Sequence, residues 1–251
     1  MGSGIAEVRA RAGLAVPVCE TGPENLKSGC DAALGRICFT TDLVDCADRD
    51  MVIEAVAEDE HIKSEVFASL DKIVAQGDAI LAINTSSIPV MKLAMATGRP
   101  EQVGGTHFFN PVPVMPLVEI VPSLLAGNQA RWLAEAFVAG RLGKQATRSQ
   151  DRAGFIVNSL LVPYAVRHPH ARIRHGHGRG HRQRHDSRLR PLYGPLRLAN
   201  LIGLDTVKAI ADSMCEEFKE QLRSPPSLLL RMVDARLLGK KSGRGFHDYA
   251  R

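Results

Sequence analysis

Residues 81–121 read LAINTSSIPVMKLAMATGRPEQVGGTHFFNPVPVMPLVEIV, and the division of this run decides the fold. Its opening apolar residues, continuing the preceding Ala79 and Ile80, suit a buried strand that stops at Asn84-Thr85-Ser86-Ser87. Pro89 fits the first turn of a short helix, which Gly98 and Pro100 end. Two further strand-like runs, VGGTHFF and LVEIV, are joined by the Pro-rich loop from Asn110 to Pro116. His107 and Glu119 lie at equal distances from Pro113, the middle of that loop. Folded back as an antiparallel pair, the two runs bring these side chains face to face. A hydroxyl at the carboxyl end of one strand, with a His and a carboxylate on neighbouring strands, outlines hydroxyl-oxidising or carbonyl-reducing chemistry. Spacing alone leaves His107 open, because a lone His among apolar residues is more often structural.

The order INTSS, HFFNPVP, LVEIV, followed downstream by GFIVNSLLVPY, resembles the 3-hydroxyacyl-CoA dehydrogenase family, most of all its short-chain 3-hydroxybutyryl-CoA type. The likeness covers roughly residues 1–165 and 194–249. It implies an α/β fold: a Rossmann-like, doubly wound NAD-binding domain over residues 1–150, then an all-α domain over 151–251 serving substrate binding and dimerisation. The implied reaction is NAD-dependent oxidation of an (S)-3-hydroxyacyl-CoA to the 3-ketoacyl-CoA in fatty-acid or butanoate metabolism. His107 is then the general base, Glu119 orients it, and Ser86 and Asn158 bind the substrate oxygens. Glu58, Lys63, Ser86, Asn110 and Lys241 fall at cofactor-contacting positions.

Several of these residues also have plainer readings. Glu58, Asp59 and Glu60 crowd the start of a helix, where carboxylates favour the helix dipole. That helix, Asp59 to Ala75, carries an apolar stripe of Ile62, Val66, Leu70, Ile73 and Val74. Asn158 is the one amide in an apolar helix-like run and can be a buried, internally satisfied residue. Lys241, in GKKSGRGF, can be part of a basic tail. Trp132, within a helix spanning Gly127 to Leu142, is expected in the core.

At the amino end, a helix from Gly2 leads to a strand, Leu14 to Glu20. A dinucleotide fingerprint runs strand, G-x-G-x-x-G, helix, strand, acid. Gly2 fits its last glycine and Glu20 its ribose-binding acid, while the first strand and first two glycines are absent. Such a strand is buried on both faces, and four or five apolar side chains contribute about 10 kcal/mol. That matches a domain's whole stability margin of about 5–15 kcal/mol. Residues 21–35 are short for the family, and Lys27 and Ser28 are read there as a solvated turn.

The net charge of +5 is concentrated in residues 167–190, which hold eight Arg and one Asp and leave the rest at −2. The stretch 165–193 contains six of the nine His and departs from the family pattern at preserved length. A shifted and restored reading frame, or a disordered segment, explains this best. A metal site needs ligands fixed by second-shell partners, whereas HxH pairs among Arg repel a cation, and nucleic-acid affinity would be non-specific phosphate attraction. No run approaches the roughly 18–20 apolar residues of a membrane span, and residues 1–15 lack a signal-peptide core. Five Cys without CxxC spacing fit reduced thiols in the cytoplasm. The partners implied are an acyl-CoA and a second copy of the chain, with no metal, no membrane and no specific nucleic acid. A defective remnant or binding scaffold of the same fold is the alternative function. The absent strand leads to the expectation that the natural chain starts upstream of Met1. Mass spectrometry of the native amino terminus checks this, and an authentic Met1 on a stable protein contradicts it.

Overall fold

A computed structural model describes residues 1–19, 34–172 and 194–249. The chain divides into two compact units, Met1–Asp151 and Arg152–Arg251.

In the first unit, β3 (Met51–Glu54), β4 (Ile80–Ile83), β5 (Val103–Phe108), β6 (Leu117–Pro122) and β7 (Gln145–Arg148) form one sheet in that order. Only the β5–β6 pair is antiparallel. All four residues of β4 are buried, as a central strand covered on both faces requires. β1 (Val16–Cys19) and β2 (Ile37–Thr40) pair in parallel as a separate sheet. Helix α1 (Gly2–Arg11) links the two. Its Ile5 and Val8 join a core with Phe108, Val118 and Ile120, while Ala6 and Ala10 pack against Val16 of β1. The doubly wound architecture is therefore present, but as two sheets rather than one.

Helix α2 (Glu60–Ile73) starts where Asp59 accepts hydrogen bonds from the His61 and Ile62 amides at 2.9 and 3.0 Å. Its buried face is Lys63, Phe67 and Leu70, with Ile62 43% exposed, so the expected stripe is out of phase at its start. The cause is an ion pair. Lys63 has no exposed surface, and its Nζ lies 2.8 and 2.9 Å from the two carboxylate oxygens of Glu54. Helix α3 (Val90–Ala94) is capped from a distance, its Val90 and Met91 amides each donating to Asp151 at 2.8 Å. Helix α4 (Asn128–Ala136) turns Ala130 and Ala134 inward. Trp132 sits on the opposite face and is 65% exposed, which corrects its expected core placement.

The second unit is helical: α5 (Val157–Arg172), α6 (Pro195–Ile202), α7 (Leu204–Phe218) and α8 (Ser227–Asp234). Val162, Ala165, Ala199, Leu204, Val207, Ile210, Met214 and Leu229 form its core. The irregular stretch expected from 165 is corrected at its start, because α5 continues to Arg172. Extending an existing helix fixes one residue per hydrogen bond gained, so it can outrun the apolar segment that began it. Residues 173–193, including most of the His-rich segment, lie outside the described residues. Among the described residues no helix is long and apolar enough to cross a membrane, and none of their His, Cys, Asp and Glu groups could hold a metal.

Burial pushes the Glu54 carboxyl upward in pKa, and the Lys63 charge and hydrogen bonds oppose it. Removing one member of such a pair strands a buried charge. Lys63→Met should cost about 3–5 kcal/mol in denaturant unfolding, and adding Glu54→Leu should restore most of that loss. A neutral single replacement contradicts this account.

Candidate active site

The antiparallel register pairs His107 of β5 directly with Glu119 of β6. Both are buried, at 4% and 0% exposure. His107 Nδ1 lies 2.7 Å from Glu119 Oε2, and Nε2 lies 3.1 Å from Ser86 Oγ. With the proton on Nδ1, the imidazole donates to the carboxylate and Nε2 accepts from the Ser86 hydroxyl. The Phe109 ring packs against the imidazole at 4.6 Å between centroids. The site thus holds a proton acceptor, oriented by an acid and already hydrogen-bonded to a hydroxyl. That arrangement can remove a proton from a substrate alcohol.

Ser86 is fixed by a neighbour that takes no part in this chain. Glu58 Oε1 accepts from Thr85 Oγ1 at 2.5 Å, from the Ser86 amide at 2.7 Å, and from the Ser87 amide and hydroxyl at 3.1 and 3.0 Å. Burial alone would raise the Glu58 pKa. The hydrogen bonds from Thr85, Ser86 and Ser87, with the Lys63 charge, outweigh it and hold the carboxyl below its ordinary value. Asn84 closes the frame: its carbonyl accepts from Lys63 Nζ at 3.2 Å, and its side chain accepts from the Phe108 amide at 3.1 Å.

The remaining predicted residues have varied surroundings. Lys63 is fully buried beneath the Thr85–Ser87 turn, so it supports the turn through Asn84 and Glu54 instead of reaching a ligand directly. Asn110 is exposed at the start of the loop after β5. Asn158 is 6% exposed on α5, and Lys241 Nζ pairs with Asp205 Oδ2 at 2.5 Å; both belong to the second unit. Glu20 lies outside the described residues. Gly2 opens α1, but a Cβ there would only touch the Ala55 Cβ at an ordinary 3.6 Å. Gly4 is the more tightly packed of the two, since a Cβ there would meet Val112 Cβ at 3.1 Å. The MGSG run offered both glycines, and only the partner on a distant loop distinguishes them. α1 has no side-chain cap and no acid in its first turn, so its first amides suit the phosphates of a dinucleotide.

Because the Glu58 pKa is depressed, its contribution to stability is present above the unfolded carboxylate value of about 4.3 and is lost as pH falls through the folded value. The melting-temperature gap between wild type and Glu58→Gln should therefore be open at pH 7 and close in acid below about pH 4. A gap that is constant or widens in acid contradicts the assignment.

Comparison with known proteins gives a concordant result. The family profile "3-hydroxyacyl-CoA dehydrogenase, NAD binding domain" matches residues 25–152, and "3-hydroxyacyl-CoA dehydrogenase, C-terminal domain" matches residues 187–249. The chain is 50% identical over 279 residues to a 3-hydroxybutyryl-CoA dehydrogenase of Mycobacterium tuberculosis, covering 99% of this chain and 95% of the relative. It is 36% identical over 236 residues to the human mitochondrial hydroxyacyl-coenzyme A dehydrogenase, covering 90% of this chain and 73% of that protein. The crystal structure of M. tuberculosis FadB2 superposes with a TM-score of 0.96 at 50% identity, covering 100% of this chain and 95% of that one. The (S)-3-hydroxybutyryl-CoA dehydrogenase PaaH1 from Ralstonia eutropha gives a TM-score of 0.87 at 32% identity, covering 100% and 96% of the two chains. A Rossmann-type NAD-binding unit carrying a hydrogen-bonded Ser–His–Glu chain, followed by a helical unit, accords with these likenesses, and the chain belongs to the 3-hydroxyacyl-CoA dehydrogenase family.

Proposed function

We propose that this protein oxidises an (S)-3-hydroxyacyl-CoA of the 3-hydroxybutyryl type to the 3-ketoacyl-CoA, with NAD as oxidant. The observation that carries the reading is the continuous hydrogen-bonded chain from Ser86 through His107 to Glu119, at 3.1 and 2.7 Å. When bound, the oxidised nicotinamide supplies the acceptor for the hydride leaving substrate C3. His107 Nε2 takes the proton of the C3 hydroxyl as the C–O double bond forms. Glu119 keeps the imidazole turned toward the reacting oxygen and stabilises its charge once it is protonated. Ser86, and Asn158 from the helical unit, hydrogen-bond the substrate oxygens and hold C3 for transfer. Glu58, Asn110 and Lys241 serve the cofactor. Glu58 does so while fixing the Ser86 turn, with Lys63 as a positioning residue beneath. The amides opening α1 from Gly2 receive the pyrophosphate, and Glu20 the adenosine ribose.

A catalytically defective remnant or binding scaffold is the second reading, favoured by the division of the sheet into two parts. Titration with NADH separates the two, because a remnant shows no saturable binding at millimolar cofactor. The helical unit is proposed to pair with that of a second copy, with Leu160 and Leu201 left exposed on α5 and α6 in support. The thiols of Cys38, Cys46 and Cys215 fit a reducing, cytoplasmic setting.

His107→Ala should lower kcat by about 10²–10⁴ while leaving KM for the acyl-CoA nearly unchanged. Near-normal turnover in that variant overturns the assignment.

A further inference from the structure

The loop from Asn110 to Pro116 leaves β5 three residues after His107 and joins β6 three residues before Glu119. It has little of its own to hold it. Pro111, Pro113 and Pro116 carry no amide proton, and the Val114 and Met115 amides both donate to one acceptor, the Pro111 carbonyl, at 3.0 Å. Val112 alone is buried, at 2% exposure, while Asn110, Pro111, Pro113, Val114 and Pro116 are exposed.

One side chain from outside the loop braces it. Lys144, the residue before β7, donates from Nζ to the Val112 carbonyl at 2.8 Å and to the Met115 carbonyl at 2.7 Å. The next residue, Gln145, donates its amide to the Pro116 carbonyl at 2.8 Å. Burial lowers the Lys144 pKa, and no neighbouring charge offsets that effect. The ammonium therefore gives up hydration against two neutral carbonyls and no carboxylate, so the loop is what it holds.

The clamped loop bears on both cofactor elements of this unit. Val112 shares a core with Ile5 and Val8 of α1. A Cβ on Gly4 would meet Val112 Cγ2 at 3.3 Å and Pro113 Cδ at 3.5 Å, so the loop backs the first turn of that helix. Asn110 stands two residues before the first clamped carbonyl. We propose that Lys144 is a positioning residue for the cofactor. It acts through the Val112 and Met115 carbonyls, holding Asn110 toward the nicotinamide side and the opening turn of α1 in place. The inference deepens the dehydrogenase reading and rests on it.

The test titrates the full chain with NADH, following the fluorescence of the cofactor, and measures kcat for reduction of acetoacetyl-CoA at saturating NADH. Lys144→Met, which keeps the stem and loses every donor, should weaken NADH binding about tenfold. Its kcat should fall by much less, because Phe108 still pairs with Val118 in the ladder and Val112 stays in the core. Lys144→Arg, which can donate to both carbonyls, should restore the affinity. In an Asn110→Ala background the loss caused by Lys144→Met should shrink, since the clamp then has less to position. A lysine serving stability alone would lower the melting temperature of Lys144→Met and leave its affinity for NADH at the wild-type level, and that result overturns the proposal. An arginine variant as weak as the methionine one overturns it too, as does a loss undiminished without Asn110. If Lys144→Met does not fold, Lys144→Gln takes its place, and failure of both to fold makes the lysine structural and overturns the proposal. A wild-type chain that shows no saturable NADH binding sinks the dehydrogenase reading and the proposal with it, whereas a wild type that binds and is matched by Lys144→Met sinks the proposal alone.

Discussion

A buried carboxylate in the middle of a sheet is tolerated only with a partner that answers it, and for Glu119 that partner is the imidazole directly across the β5–β6 ladder. The pairing depends on register. A slip of one residue would send His107 to the opposite face and leave Glu119 buried against apolar neighbours. The connecting loop holds that register. Its Val112 is 2% exposed in the core beside α1, and Lys144 Nζ donates to the carbonyls of Val112 and Met115 at 2.8 and 2.7 Å. The pair therefore belongs at once to the folding of the sheet and to the chemistry at its edge.

The hydroxyl that completes the chain depends on a second set of buried charges. Lys63 neutralises Glu54 at the end of β3 and reaches the Asn84 carbonyl at the end of β4. Glu58 gathers the Thr85–Ser87 turn that follows β4. Three consecutive parallel strands thus deliver their carboxyl ends to one place, and side chains from the loops beyond them fix how Ser86 faces the imidazole. Ligand sites of open α/β sheets lie at this edge because the loops there are free to carry polar groups while the strands stay apolar.

What the sequence disclosed was what short-range spacing determines. The equal separation of His107 and Glu119 from Pro113 was enough to place them opposite each other, because a hairpin-like return fixes pairing by counting. The strand ending at Asn84, the helix after Asp59 and the change to helices after residue 151 were readable from apolar runs and caps. Long-range partners were not. Lys63 stood in the sequence only as a position matched to the cofactor, and its burial against Glu54, which turns α2 with it, became visible only in three dimensions. Gly4 acquires its meaning only from Val112, and Lys241 its ion pair only from Asp205. Trp132 was expected in the core, whereas the small Ala130 and Ala134 let α4 approach the sheet and leave the indole outside. The absent strand was anticipated, and the separation of β1–β2 from β3–β7 into two sheets emerged only in three dimensions.

The central claim is that Glu119 acts through His107, as one proton-accepting unit. A double-mutant cycle on kcat, with His107→Gln, Glu119→Gln and both together, tests it most directly. If the two act as a unit, the double variant loses about as much turnover as His107→Gln alone, a large departure from additivity. Losses that simply multiply would mean that the carboxylate and the imidazole act independently, and would contradict the account.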